Sequence, residues 1–195
     1  MTSLPDFHEL RVVVSHPRDG EGELLIRCLQ RLGSTVEWMW PPADALDRQV
    51  DLLICLFDSA ARTLLETTTS VVGPAVLGIV DPERAEGLRL VSEVTPHAVM
   101  VRPITQAAIV PNIVLARNTA KYQLRQLGKI AKLEETLRSY RKVEQAKAIL
   151  MQQRAIGEPE AYNFLREQAM RRRVPVGVIA SAVVDLNEVL SEKKK

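Results

Sequence analysis

Asp51-Leu-Leu-Ile-Cys-Leu-Phe57 is an almost unbroken apolar run closed by Asp58. A strand wet on one face alternates apolar and polar residues, whereas one covered on both faces reads like this. Upstream, Leu10-Arg-Val-Val-Val14 is a shorter β-branched run ending at Ser15-His16-Pro17, which predicts a first strand and a loop. Between them, residues 21–32 place Leu24, Leu25, Cys28, Leu29 and Leu32 on one helical face, with Gly33 in the position of a C-terminal cap. Residues 35–40 predict a second strand, stopped by Pro41-Pro42. Downstream of the third strand, residues 59–71 predict a helix weakened by Thr67-Thr68-Thr69. A strand over Ala75–Val80, a helix over Ala85–Val94 and a strand over Ala98–Val101 complete the series. Strands alternating with helices predict an α/β doubly wound parallel sheet of the flavodoxin type.

The 195 residues are 46% apolar and 26% charged, a globular composition with room for one ordinary domain and a smaller module. No apolar run approaches the length of a bilayer span, and the acidic start lacks the basic and apolar parts of a signal peptide. These features predict a cytoplasmic protein with no membrane partner. Two cysteines, Cys28 and Cys55, are too few for a disulfide framework or a zinc knuckle, and His8, His16 and His97 match no metal spacing. No metal or other cofactor is expected. Nothing pairs a nucleophile with a base or offers a Gly-rich phosphate loop, so no catalytic residue is assigned and an enzyme is the remote reading.

The net charge of +2 hides a division: residues 1–120 carry 10 basic and 15 acidic residues, and residues 121–195 carry 16 and 9. All eight lysines lie from Lys121 onward. Such asymmetry directs attention to an acidic partner for the second half, nucleic acid above all, although a solvated helix surface gives the same count.

The alternating first half, with Arg102-Pro103 directly after its fifth strand, resembles the receiver domain of bacterial response regulators. That resemblance implies an acidic pair for magnesium after strand one, a phosphate-accepting Asp at the end of strand three, Ser or Thr after strand four, and Lys before the proline. Ser15 and His16 stand at the acidic pair, Leu56 at the acceptor, Val80 at the hydroxyl position and Arg102 at the lysine. Asp58, two residues beyond the acceptor position, with Asp19 and Asp81 near in sequence, could form a displaced site. Magnesium demands near-octahedral oxygen ligands, and shifting all of them together is disfavoured. Asp58 is expected to cap the following helix instead. The domain is read as a pseudo-receiver.

Beyond Pro111 the only glycine before residue 157 is Gly128. Leu124, Leu127, Ile130, Leu133, Leu137, Tyr140 and Val143 recur every three or four residues, an apolar seam along one long helix. The seam predicts a homodimer through a coiled coil, with intrachain packing toward its end. Gly157 and Pro159 mark the next helix, to residue 172, turning Ala161, Phe164, Leu165 and Ala169 inward. Pro175 opens a third, with Val178, Ile179, Ala182, Val183 and Leu186 as its expected buried face. Met151 and Met170 are expected in the core, as is one of Trp38 and Trp40, the other being a candidate for an exposed partner patch.

Val143-Glu-Gln-Ala-Lys-Ala-Ile-Leu-Met-Gln-Gln-Arg154, followed by Gly157, Glu160-Ala161, Phe164-Leu165-Arg166, Ala169-Met170-Arg171 and Ile179-Ala180, resembles the ANTAR domain. This is the three-helix RNA-binding module of bacterial antiterminators. The family usually has Gly where Ala148 stands here, and often Arg where Tyr140 stands. A pseudo-receiver, a coiled-coil helix and an ANTAR module in this order resemble the amidase-operon antiterminators. That resemblance implies an RNA partner with leader hairpins, and a ligand-sensor protein of periplasmic-binding-protein fold. The expected domains are 1–117 pseudo-receiver, 118–142 coiled-coil helix, 135–190 ANTAR module and 191–195 basic tail.

Arg138, Arg141, Lys147, Gln152, Arg154, Arg166, Arg171, Arg172 and Arg173 are the candidate RNA contacts. Guanidinium forks suit phosphates and base edges, and their planes stack on unpaired bases. A single basic residue would complement the helix C-terminus, and three in succession exceed that need. The alternative reading is a phosphorylation-dependent DNA-binding response regulator, although no helix-turn-helix spacing appears in residues 121–195.

Overall fold

The computed structural model describes residues 7–46, 49–68 and 73–192. Five parallel strands form one sheet in the order β2-β1-β3-β4-β5: β1 (Arg11–Ser15), β2 (Thr35–Met39), β3 (Leu52–Leu56), β4 (Ala75–Val80) and β5 (Ala98–Val101). This is the flavodoxin order, with its switch point between β1 and β3. Val12, Val13 and Val14 of β1 lie opposite Leu52, Leu53 and Ile54 of β3. Side chains alternate between faces, so one run feeds two cores. Val12, Val14, Leu52, Ile54 and Leu56 pack on one face with Leu25 and Leu29 of α1 (Gly20–Arg31). Ile109, Ile113 and Ala116, early in α4 (Gln106–Arg154), join that face. Val13, Leu53, Cys55 and Phe57 pack on the other, with Leu64 and Leu65 of α2 (Arg62–Thr68) and Leu90 of α3 (Ala85–Val94).

Local chemistry sets the ends of these elements. Asp19 caps α1, its Oδ1 accepting the N–H groups of Glu21 and Gly22 at 3.1 and 2.9 Å, an arrangement worth about 1 kcal/mol. Gly33, just past the end of α1, takes φ +85°, a conformation that glycine enters without a Cβ penalty. Asp58 caps the short 3₁₀ turn Ser59–Ala61, with Oδ1 accepting the Ala61 N–H at 3.0 Å. The helix expected over 59–71 is thus a 3₁₀ turn followed by α2, and its last residues lie outside the described ones, as do residues 193–195 of the basic tail.

The chain divides into two compact units, residues 1–126 and 127–195. The second unit consists of the later turns of α4 with α5 (Glu158–Arg172) and α6 (Val176–Glu192). Ala146, Leu150, Ala161, Leu165, Ala169, Ile179, Ala180 and Val184 form its core. The expected inner face of α6 holds at Ile179 and Val183, which join the core, and shifts elsewhere: Val178 and Leu186 are 53% and 61% exposed, while Ala180 and Val184 are buried. The cause is contact at the start of α6, where a Cβ on Gly177 would sit 2.2 Å from Ser139 Oγ. This close approach of α6 to α4 selects which of several apolar stripes turns inward. Met151 and Met170 are exposed rather than core, on the outer sides of α4 and α5.

Candidate nucleic-acid interface

α5 carries two adjacent stripes at helical spacing. Ala161, Leu165 and Ala169 are buried against α4 and α6, their small and branched side chains filling the module core. One position earlier in each turn, Phe164, Gln168 and Arg172 line a groove of about 340 Å³. Its other walls are Leu150, Gln153 and Arg154 from the end of α4 and Ile179, Ala182, Val183, Leu186 and Asn187 from α6. The guanidinium of Arg154 lies over the Phe164 ring, 4.1 Å from its centroid. Gln153 Nε2 donates to Asn187 Oδ1 at 2.9 Å across α4 and α6. The groove thus combines an apolar floor, three amides and two cations.

The candidate RNA contacts fall into separate groups. Arg154 and Arg172 share the groove. Arg138 and Arg141 line a second cavity, with Leu137, Lys142 and Glu188. Arg166, Arg171, Arg173 and Gln152 are exposed; Arg173 ends α5 in the left-handed region at φ 55°. Lys147 is different. Its Nζ contacts Glu144 at 2.8 Å and Glu158 at 2.6 Å, and the residue is only 9% exposed. Hydrogen bonds donated to Glu144 and Glu158 raise the Lys147 ammonium above its ordinary range, and the same contact holds Glu158 low. Its charge is used to join α4 to the first turn of α5. Sequence does not single out Phe164, Gln153, Gln168 and Asn187 as groove residues. The i, i+4, i+8 stripe of ring, amide and guanidinium on α5 is the signal that carried part of it.

The seam residues Leu124, Leu127, Ile130, Leu133, Leu137 and Tyr140 of α4 are 41% to 63% exposed, and none belongs to a buried core of the chain. Val143, next in the series, is half-buried in the core of the second unit.

In the first unit the carboxyl ends of the strands hold the degenerate receiver positions. Leu56 is the last residue of β3, and Val80, the last of β4, is buried. Ser15 and His16 are fully buried, and the side-chain Oγ of Ser15 and Nε2 of His16 have no hydrogen-bond partner among the described residues. His16 Nδ1 donates to Pro17 O at 2.9 Å. Ligand atoms of His16, Asp19 and Glu21 lie within 4.8 Å of one another, a grouping the histidine spacing does not reveal. Both carboxylates already face a cation: Arg102 Nη2 lies 3.2 Å from Asp19 Oδ2, and its Nε donates to Glu21. The Ile104 N–H donates to Glu21 Oε1 at 2.9 Å. Burial acts to raise the Asp19 carboxyl, yet the Gly22 N–H, His16, Arg102 and the Glu21 N–H outweigh it and hold the group below its ordinary range. Trp38, 37% exposed, donates its indole N–H to His16 O at 2.9 Å, with Arg18 5.6 Å from its ring centroid. Trp40 packs partly buried against the α1 face of the sheet.

Among the described residues no helix is long and apolar enough to cross a membrane. A family described as "AmiR, N-terminal" matches residues 10–117, and the ANTAR domain matches residues 131–184. The chain is 28% identical to the aliphatic amidase regulator of Pseudomonas aeruginosa over 184 residues, 93% of this chain and 94% of that protein. It is 30% identical over 88 residues to the transcriptional regulatory protein PdtaR of Mycobacterium tuberculosis, covering 45% of this chain and 43% of PdtaR. The crystal structure of NtrX from Brucella abortus superposes with a TM-score of 0.50 at 14% identity, over 67% of this chain and 34% of NtrX. The chain thus spans about a third of NtrX, and that likeness supports the receiver-type fold alone. With the N-terminal match covering more than half its length and an ANTAR domain following, the chain belongs to the AmiR family of ANTAR-domain regulators.

Proposed function

We infer that the chain is an RNA-binding transcription antiterminator that acts as a homodimer and performs no catalysis. The observation that carries this reading is the exposed row Arg171, Arg172 and Arg173 closing α5 beside the Arg154 groove, in a chain with the ANTAR pattern. Arg138, Arg141, Gln152, Arg154, Arg166 and the three consecutive arginines supply the RNA contacts, while Lys147 holds the module together. Residues 1–117 act as a docking platform, 118–142 as the pairing helix, 135–190 as the RNA module and 191–195 as a basic extension.

Control by a bound ligand-sensor protein of periplasmic-binding-protein fold, without phosphorylation, fits the first unit. Leu56 offers no atom to phosphorylate, and Arg102 already neutralises Asp19 and Glu21 at the start of α1. The similarity to the aliphatic amidase regulator supports an operon of amidase type. The test is a gel shift with short RNA hairpins against duplex DNA of equal length. Hairpin binding should weaken steeply with salt, because phosphate contacts release counterions. Changing Arg171 and Arg172 to Ala should cost roughly 1–3 kcal/mol per lost contact and flatten the salt slope. Equal affinity of the parent protein for duplex DNA would refute the RNA reading.

A further inference from the structure

Phosphate contacts account for cations on a surface, but not for a groove that joins two of those cations to an aromatic ring and three amides. We propose that the groove between the end of α4, α5 and α6 receives one unpaired purine of an RNA loop, stacked on the guanidinium of Arg154. This inference rests on the RNA-binding reading and assigns its base-reading site.

The geometry has four parts. Phe164 lies against the Arg154 guanidinium, 4.1 Å from its ring centroid, and both side chains line the groove, so the ring restricts where the guanidinium can sit. Arginine planes are stacking surfaces for splayed bases, and a backing ring restricts the rotamers that would otherwise be lost on binding. The cavity of about 340 Å³ admits a single base with its sugar but no duplex. Its floor, formed by Leu150, Ile179 and Val183, suits the apolar edge of a base. Gln168 and the Gln153–Asn187 pair stand at its walls. Amides that offer a donor and an acceptor together match the adjacent donor and acceptor atoms along a purine edge. Arg172, on the same rim, complements the phosphate of the bound nucleotide.

Stacking and charge can be separated at Arg154. Arg154→Lys keeps the cation and loses the plane, so a contact to phosphate alone would be preserved. Gln168→Ala removes one amide from a half-exposed position and leaves the buried stripe of α5 untouched. The probes are two hairpin RNAs with one stem, one carrying a loop of purines and the other a loop of uridines. A third version carries 2-aminopurine at a single loop position, tested position by position.

The full chain should bind the purine loop more tightly, and 2-aminopurine at one position should be quenched on binding as it stacks. Arg154→Lys should weaken the purine hairpin about tenfold, the scale of one lost base stack, and abolish the quench while keeping the salt slope. Gln168→Ala should reduce the preference for purines over uridines. Salt-sensitive binding with equal affinity for both loops and no quenched position would overturn the base site and leave the RNA reading intact. Failure to bind either hairpin would overturn both.

Discussion

Replacing Ile130 and Leu137 together by aspartate tests whether the α4 seam is where two chains meet. The two side chains are 51% and 56% exposed in the single chain, so a partner helix can cover about half of each. Full burial of such a side chain is worth about 1.5–3 kcal/mol, so covering half is worth about 1 kcal/mol, or about 4 kcal/mol for the four side chains of a dimer. That loss alone raises the dissociation constant roughly a thousandfold. Carboxylates introduced into the apolar seam add a desolvation cost of several kcal/mol. A dimer held at micromolar concentration should become monomeric, as read by sedimentation equilibrium across a concentration series. The substituted positions are exposed and lie outside all three cores, so circular dichroism should report unchanged folding. A variant that remains dimeric with the parent dissociation constant would refute the assignment of the seam.

Incubation with acetyl phosphate and magnesium should leave the intact mass unchanged, because Leu56 ends β3 and Asp58 is engaged with the Ala61 N–H; a stoichiometric adduct on Asp58 would overturn this. Burial pushes the Cys55 thiol up to about 12, with the Asp58 charge reinforcing it. At pH 8 a maleimide should therefore label the half-buried Cys28 first, and Cys55 only in denaturant, as peptide mapping would record. Burial also holds the His97 imidazole below its ordinary value, against a hydrogen bond to Gln123, while Nδ1 accepts the Val76 N–H at 2.9 Å. The unfolded chain then takes up this proton first, so the contribution is full above the unfolded value of about 6.5 and declines as pH falls toward the lower folded value. Urea midpoints at pH 8 and pH 5.5 should differ more for the parent than for His97→Gln; equal differences would remove His97 from the account.

The sheet was legible because its signals are local. Ala75–Val80, Ala85–Val94 and Ala98–Val101 stand with the bounds their sequence predicts, each set off by Pro, Asp or Thr. The double cover of the sheet was readable from the unbroken apolarity of β3. The inner face of α6 was not, since Val176, Val178, Ile179, Ala180, Ala182, Val183, Val184 and Leu186 supply more apolar positions than one face needs. Gly177 against Ser139 chooses among them, and that contact joins residues on different helices. In the candidate site, the cations were visible as residue types but their engagements were not. Lys147 spends its charge on Glu144 and Glu158, and Arg102 finds Glu21 at a separation of 81 residues. Periodicity reports which residues share a face, whereas these pairings depend on how elements pack.

The guanidinium between Asp19 and Glu21 changes what governs that end of the sheet. A diffusible cation stabilises a domain by mass action, in proportion to the logarithm of its free concentration, and its site empties when the solution is depleted. Arg102 is joined to the backbone, so its local concentration is fixed by the chain itself. Adding a chelator should leave the thermal midpoint of the domain where it was. The charge at the strand ends then becomes a constant of the polypeptide, set at translation and independent of the ionic supply of the cell.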